Sequence, residues 1–495
     1  MKLYISSEKE KMLTGGYLTV YLTLTLTIIL SLCLALIEGT RQNAVFMEAE
    51  CVTDIGLNSI LAEYHRELLN QYNLFAIDAS YGGIMSGVNE TETHLKQYIQ
   101  QNFSTEYLLL DRLSYRDFLG IQLEDLELTK VSLLTDDGGA VFYRRAAEAV
   151  WDDMNLNLFS QLQSWLQIEK SERLTERDIA EEKRKLDNRL NSYDGKEIQV
   201  SETEWVTVEV KNPTASLEKK RKEGILKWVV EDSNELSNKS LSLDTLIMAR
   251  METGNVNRGN VELQELPETQ QLLERFFFQE YLMRYMGHYG AESEEDALAY
   301  QIEYLVVGKE NDLDNLRSVV NAIFAMREAA NISYLMTDQK KTMAAEALGL
   351  VLATAMMIPE AAGVVKLILL YGWAFAESIY DMKCLMNGGR VPLIKTSKTW
   401  HYDLDQALKL ENDNQETDTE GLSYEDYLRI FMMLQKREVL TARAMNMVEA
   451  DIRQTPGNQA FRMDGCLDYV EACVKFKSAY GYTCEITRYK GYCTP

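Results

Sequence analysis

Four cysteines crowd the end of the chain: Cys466, Cys473, Cys484 and Cys493. Clustered thiols can form two disulfides, stay free, or bind a metal. The intervals are too wide for the short Cys-x2–4-Cys pairs of zinc ribbons, so the spacing weighs against metal. An oxidising compartment would permit disulfides, although four cysteines allow three pairings and their order does not choose among them. The four histidines, His65, His94, His288 and His401, are scattered, and no His-Glu-x-x-His pair occurs. Ser216-Leu-Glu-Lys219 fits a Ser-x-x-Lys nucleophile pattern, but so does Ser6-Ser-Glu-Lys9, which shows how cheap the match is. Ser216 also falls in a charged helical stretch, where a nucleophile would be solvated. Neither a Gly-x-Ser-x-Gly elbow nor a phosphate-cradling glycine loop is present. Carboxylate pairs carry no information in a chain of net charge -25. That charge opposes nucleic-acid binding, since it repels phosphate backbones. No catalytic, cofactor or metal site is therefore expected, and the chain reads as a non-enzyme.

The elements that would carry any site begin with Tyr17–Ile37, a stretch without charge. As a helix it would span about 30 Å, the depth of a bilayer core. Its Leu-Thr alternation has the period of a strand, but an open strand cannot satisfy its backbone in lipid. No Ala-x-Ala site follows, which favours an uncleaved anchor over a signal peptide. Lys2, Lys9 and Lys11 precede the span, and Arg41 is the only basic residue closely following it. The positive-inside rule puts residues 1–16 in the cytoplasm and the bulk outside.

Beyond the anchor, Ala44, Met47, Cys51 and Ile55, then Leu57, Leu61, Tyr64 and Leu68, recur at helical spacing. They predict a stalk over 38–72, with Gly39 and Gly56 as kinks; an anchor-plus-stalk helix would reach roughly 80 Å and lift the folded part off the membrane. Residues 73–216 read as mixed α/β, with strands at 73–78, 123–134 and 205–210, a turn at Asp136-Asp-Gly-Gly139 and a charged helical arm over 152–190. Residues 217–453 read as a helical core containing an apolar hairpin at 347–382 that turns at Pro359. The aromatic stripe Phe276, Phe277, Phe278, Tyr281 and Tyr285 reads as core. The acidic stretch 404–419 reads as loop. Ser423 and Asp426 form a capping-box pattern, and residues 454–495 form a cysteine-containing tail of strands and turns. The whole is α+β and predominantly helical.

Within the core, Trp373, Glu377, Arg390 and Lys395 are grouped as a structural locus, where an apolar hairpin beside an extended basic segment would bury an ion pair of Glu377.

Two resemblances add to this. Gly15-Gly-Tyr-Leu-Thr-Val-Tyr21, followed by a span that exits at Ile37-Glu-Gly-Thr-Arg41, resembles the anchors of TadE/TadG-type pseudopilins of tight-adherence (Flp) pilus systems. A cut after Gly16 would place Tyr21 where prepilin-peptidase substrates usually carry Glu, a departure from the pattern. Over most of its length the chain resembles a Gram-positive membrane-anchored family of unknown function. The segments are Tyr300-Gln-Ile-Glu-Tyr304, Trp373-Ala-Phe-Ala-Glu-Ser378, Arg390-Val-Pro-Leu-Ile-Lys-Thr396 and Leu422-Ser-Tyr-Glu-Asp-Tyr-Leu428. The resemblance implies a structural or accessory component of a pilus or secretion assembly, with membrane lipid and other subunits as partners. The rival expectations are a stand-alone binding or adhesion module and an extracytoplasmic hydrolase.

Overall fold

The computed structural model describes residues 4–83, 87–103, 119–151, 176–201, 204–230, 232, 234–250, 267–410 and 420–492. The chain opens with α1 (Tyr4–Leu61), a single helix that passes through both Gly39 and Gly56. Within it the threonines bond back to the preceding turn, as in Thr19 to Gly16 O at 2.9 Å and Thr27 to Thr23 O at 2.7 Å. Those internal bonds are why the Leu-Thr alternation does not make a strand.

Next come α2 (Arg66–Tyr72), β1 (Ile77–Asp78), α3 (Asn89–Phe103), β2 (Gln122–Leu133) and α4 (Asp136–Glu148). The Asp-Asp-Gly-Gly turn opens α4: Asp137, Gly138 and Gly139 have φ of 51°, 66° and 87°. Of the charged arm, α5 (Glu176–Asn191) is described and 152–175 lies outside the described residues. β3 (Glu197–Ser201) and β4 (Glu204–Thr207) form a hairpin, followed by α6 (Ala215–Glu223). The helical core then runs through α7 (Glu268–Tyr285), α8 (Gln301–Val307), α9 (Asp312–Thr337), α10 (Gln339–Ala355) and α11 (Ala362–Met386). It ends with α12 (Leu404–Lys409), α13 (Tyr424–Leu434) and α14 (Arg437–Gln454). β5 (Cys466–Lys477) and β6 (Thr483–Gly491) close the chain. Helices account for 61% of the described residues, so the fold is α+β and predominantly helical.

Two hydrophobic cores form. The larger packs α2 and α4 through α14 around Phe276, Phe278, Tyr281 and Tyr304, all buried. The smaller is built from the two ends of the chain. β5 is its central strand. β2 pairs antiparallel along one edge, while β6 and β1 pair along the other. Val45, Ala49, Val52, Leu57 and Ile60 of α1 complete this core with Leu95 and Ile99 of α3. Burying each of the larger aliphatic side chains stabilises by roughly 1.5–3 kcal/mol.

Three expectations change here. The segment 38–72 is not a free stalk, because α1 is packed from Val45 onward and the helix breaks before α2. The inward stripe is also different from the one its spacing indicated. Met47 is 64% exposed and Ile55 45%, while Val45, Ala49 and Val52 face inward. Apolar residues lie on both faces there, so period alone could not choose. Small residues did: a Cβ on Gly56 would sit 2.8 Å from Ile99 Cγ1, so this glycine is a close-packing point and not a kink. Finally, residues 404–409 of the acidic stretch are helical, since Asp403 and Gln406 form a capping box. Residues 411–419 lie outside the described residues.

The apolar hairpin is α10 and α11, joined through Pro359–Ala361. Its second arm, Pro359–Met386, is long and apolar enough to cross a membrane, yet 72% of its apolar window is buried inside the protein. Gly349 sets the approach of the two arms: a Cβ there would lie 3.0 Å from Lys366 N and 3.2 Å from Ala362 O. Those are backbone atoms and cannot swing aside. Gly349→Val should therefore cost about 1–3 kcal/mol, as overpacking does, despite the better helix propensity of a side chain. Thermal unfolding of the full chain would show it as a lowered Tm, and an unchanged Tm would mean that the arms are not in close contact.

Candidate functional site

The densest group of buried charge lies where α9 crosses α11. The apolar residues of both helices bring their few polar positions together, and no solvent reaches them. Asp381 accepts from Arg327 (Nη2 at 2.9 Å), from Asn331 (3.0 Å) and, on its other oxygen, meets Lys395 Nζ at 2.7 Å. Lys395 also donates to Glu377 at 2.7 Å. Glu377 accepts from His401 N at 2.9 Å and Tyr402 N at 3.0 Å, so one carboxylate pins the segment that follows the hairpin. Arg327 donates to the carbonyls of Pro392 and Leu393 at 2.9 and 3.0 Å. All four charged residues are 4% exposed or less.

Burial pushes the Asp381 carboxyl up, but Arg327 and Lys395 outweigh it and hold the group below the ordinary carboxylate value. Burial likewise pushes Lys395 down, and Asp381 with Glu377 holds it above its ordinary value. Two cations and two anions thus balance inside the core.

Of the four residues grouped from sequence, three meet here. Trp373 flanks the network and donates from Nε1 to Tyr402 O at 3.0 Å. Arg390 does not join. It is drawn to Gly421 O (3.0 Å) and Asp426 (3.3 Å), and its side chain is 46% exposed. The sequence reading did not assign to this site Arg327, Asp381 or Tyr427, whose hydroxyl accepts from Arg327 Nη1 at 3.4 Å. A usable signal existed for Asp381, which follows Glu377 by one helical turn in an otherwise apolar helix. These contacts tie α9, α11 and the segment after the hairpin into one fixed geometry.

A polar cleft lies elsewhere, a space of about 530 Å³ lined by Tyr72, Tyr285, Glu295, Asp296, Asp451 and Gln454, among others. Asp451 accepts from Ala297 N and Gln301 Nε2, both at 2.6 Å, and from the Tyr72 hydroxyl. Burial raises its pKa to about 7, against the three donors. Burial and the Asp451 charge push the Tyr72 phenol far up in turn. Acids line this cleft without a lysine, arginine or histidine among the lining residues. Glu295 and Asp296 thus share the cleft with Asp451, and no cationic side chain among the lining residues offsets them.

The histidines serve locally. His65 accepts from Leu68 N to cap α2, and His94 meets Glu63 at 3.0 Å. His288 contacts Tyr289 O at 2.9 Å, and His401 stacks on Tyr380 at 3.8 Å. Ser216 is exposed on α6. Among the described residues, no group of histidine, cysteine and acids is placed to hold a metal.

Cys466, Cys473 and Cys484 carry free thiols, so the two-disulfide arrangement is not formed among them. Strand geometry is the reason. Cys466 and Cys473 sit on one strand, about 23 Å apart. Cys484 is opposite Phe476, three residues along from Cys473, and so about 10 Å away. A disulfide needs Cα atoms within about 7 Å. Cys493 lies outside the described residues.

Comparison with known families gives one match. The model of a family of unknown function, DUF5702, aligns with residues 203–478, from β4 to the turn after β5. That is more than half of the chain, and it contains the ionic network and Asp451 but neither α1 nor β6. No curated protein and no solved structure matches. The matched span covers the helical core from α6 onward with its ionic network and β5, and the chain belongs to the DUF5702 family of unknown function.

Proposed function

We propose that the chain is a membrane-anchored, pseudopilin-like or accessory structural component of a tight-adherence-type pilus or secretion assembly. The observation that carries this reading is α1. Its apolar residues from Tyr17 to Ile37 are exposed along the whole segment, as lipid-facing residues are. The same helix continues past the segment with an outward stripe of Met47, Cys51 and Ile55. A single anchor needs no such stripe, whereas a helix that lies against another subunit's helix does. The placement of Lys2, Lys9 and Lys11 before the segment supports a cytoplasmic N-terminus and an outer location for the rest. The resemblance of residues 15–41 to TadE/TadG anchors points the same way. A buried ionic network that ties α9, α11 and the segment after the hairpin together supports a scaffold role.

The test places a photo-crosslinking residue at position 47 or 55 of the tagged full chain in living cells. Adducts with other membrane-anchored pilus or secretion subunits are the expected result. Adducts with lipid alone, or none from a correctly inserted pool, would overturn the assembly role in favour of a stand-alone surface module.

A further inference from the structure

The strand β6 lies lengthwise along α1. Tyr482 donates its hydroxyl to Glu38, Arg488 pairs with Glu50, Lys490 reaches Asn58 at 2.9 Å, and the Tyr492 hydroxyl bonds to Leu61 O. The two spans match. Glu38 to Leu61 is about 35 Å of helix, and Tyr482 to Tyr492 is about 33 Å of strand. The hairpin β5–β6 therefore stands parallel to the helix, with its turn, Ser478–Tyr482, at the level of the first helical turn after Ile37.

That turn carries two tyrosines. Tyr480 is 46% exposed, and Arg41 lies over its ring with the guanidinium carbon 4.6 Å from the centroid. Lys477 is exposed at the end of β5. The turn is held by the protein, since Ala479 N donates to Leu119 O at 3.3 Å and Ser478 N to Tyr482 O at 2.8 Å. Glu38, the first charge after the apolar segment, is engaged by Tyr482.

Taking residues 17–37 as a membrane span, on which this inference rests, we propose that the Ser478–Tyr482 turn and Arg41 form a docking edge for phospholipid headgroups. The rise from Ile37 to Arg41 is about 6 Å, which sets Tyr480 in the headgroup layer. Amphipathic rings collect there, and Arg41 and Lys477 are placed to meet lipid phosphates. The folded part then rests on the bilayer at this turn, with α1 and β6 upright.

The experiment uses the full chain in phospholipid vesicles, with Tyr480→Trp and, separately, Ile29→Trp. Lipids labelled with a nitroxide on the headgroup or deep in the acyl chain serve as quenchers. Headgroup label should remove about half of the emission added by Tyr480→Trp and acyl label little of it, with the reverse for Ile29→Trp. If Ile29→Trp responds to neither label, the span itself fails. If Ile29→Trp is quenched and Tyr480→Trp is not, the span stands and the docking edge is overturned. Shielding of the position-480 Trp from aqueous acrylamide without headgroup quenching also overturns it, by pointing to a protein contact.

Discussion

Arg327→Met should cost the folded state about 3–5 kcal/mol, the usual penalty for breaking a buried ion pair from one side. The side chain is fully buried and touches three parts of the fold. Its loss leaves Asp381 with one cation fewer, and it strips the carbonyls of Pro392 and Leu393 of their donor. The network then carries a net negative charge that water cannot reach. The double variant Arg327→Met with Asp381→Leu removes one charge of each sign and leaves Lys395 with Glu377. It should be more stable than either single variant, and urea unfolding of the four proteins would read the coupling. Simple additivity would mean that the groups act independently. The pH dependence has two signs. Asp381 lies below its ordinary value, so its contribution is present above the ordinary carboxylate range and is lost as pH falls through the lowered folded pKa. Lys395 lies above its ordinary value, so its contribution is present below that value and is lost as pH rises through the raised one. Across the middle of the pH range the network holds.

Asp451→Asn should do the opposite of most core substitutions and stabilise the protein at about pH 8, by as much as about 4 kcal/mol. Burial raises the folded pKa from the ordinary 3.8 to about 7. Between those values the folded state keeps a proton that the unfolded state has lost, so stability falls as pH climbs through the window and is level above it. An amide resembles the protonated acid, with Tyr72 and Gln301 free to exchange donor and acceptor roles around it. Near pH 4 the substitution should therefore be almost neutral. Glu303, Glu274 and Asp468 are also raised by burial and add slopes of the same sign, so the reading is the difference between variant and parent. If Asn destabilised equally at both pH values, Asp451 would be ionised throughout.

What the sequence made legible followed from local rules. Length and lack of charge showed the Tyr17–Ile37 segment, Pro359 showed the hairpin turn, and Ser423 with Asp426 showed a helix start that is present as a full capping box. The Glu377–Lys395 contact could be anticipated because both lie near one apolar hairpin. Asp451 could not, because its partners Tyr72, Ala297 and Gln301 come from distant parts of the chain, and no spacing encodes that meeting. The face of α1 was misassigned because apolar side chains ring that helix, and only the partner surface decides which of them are covered. Proximity in sequence left disulfides and free thiols both open for the cysteines, and the strand decides for Cys466 and Cys473 because it separates its residues by its full length.

The position of β5 has a consequence for how the molecule is made. It is the central strand of the smaller core, yet it is made after the whole helical core, and its partners α1, β1 and β2 are made before it. The contact order of that core is close to the highest the chain allows, which makes it slow to form. The helical region between can complete its own packing earlier, so assembly runs from the middle outward. Until β5 has been made, the inner face of α1 and both edges of β2 stay open. A chain stopped between α14 and β5 would hold its helical core and still present an unpaired β2, the kind of edge on which aggregation begins.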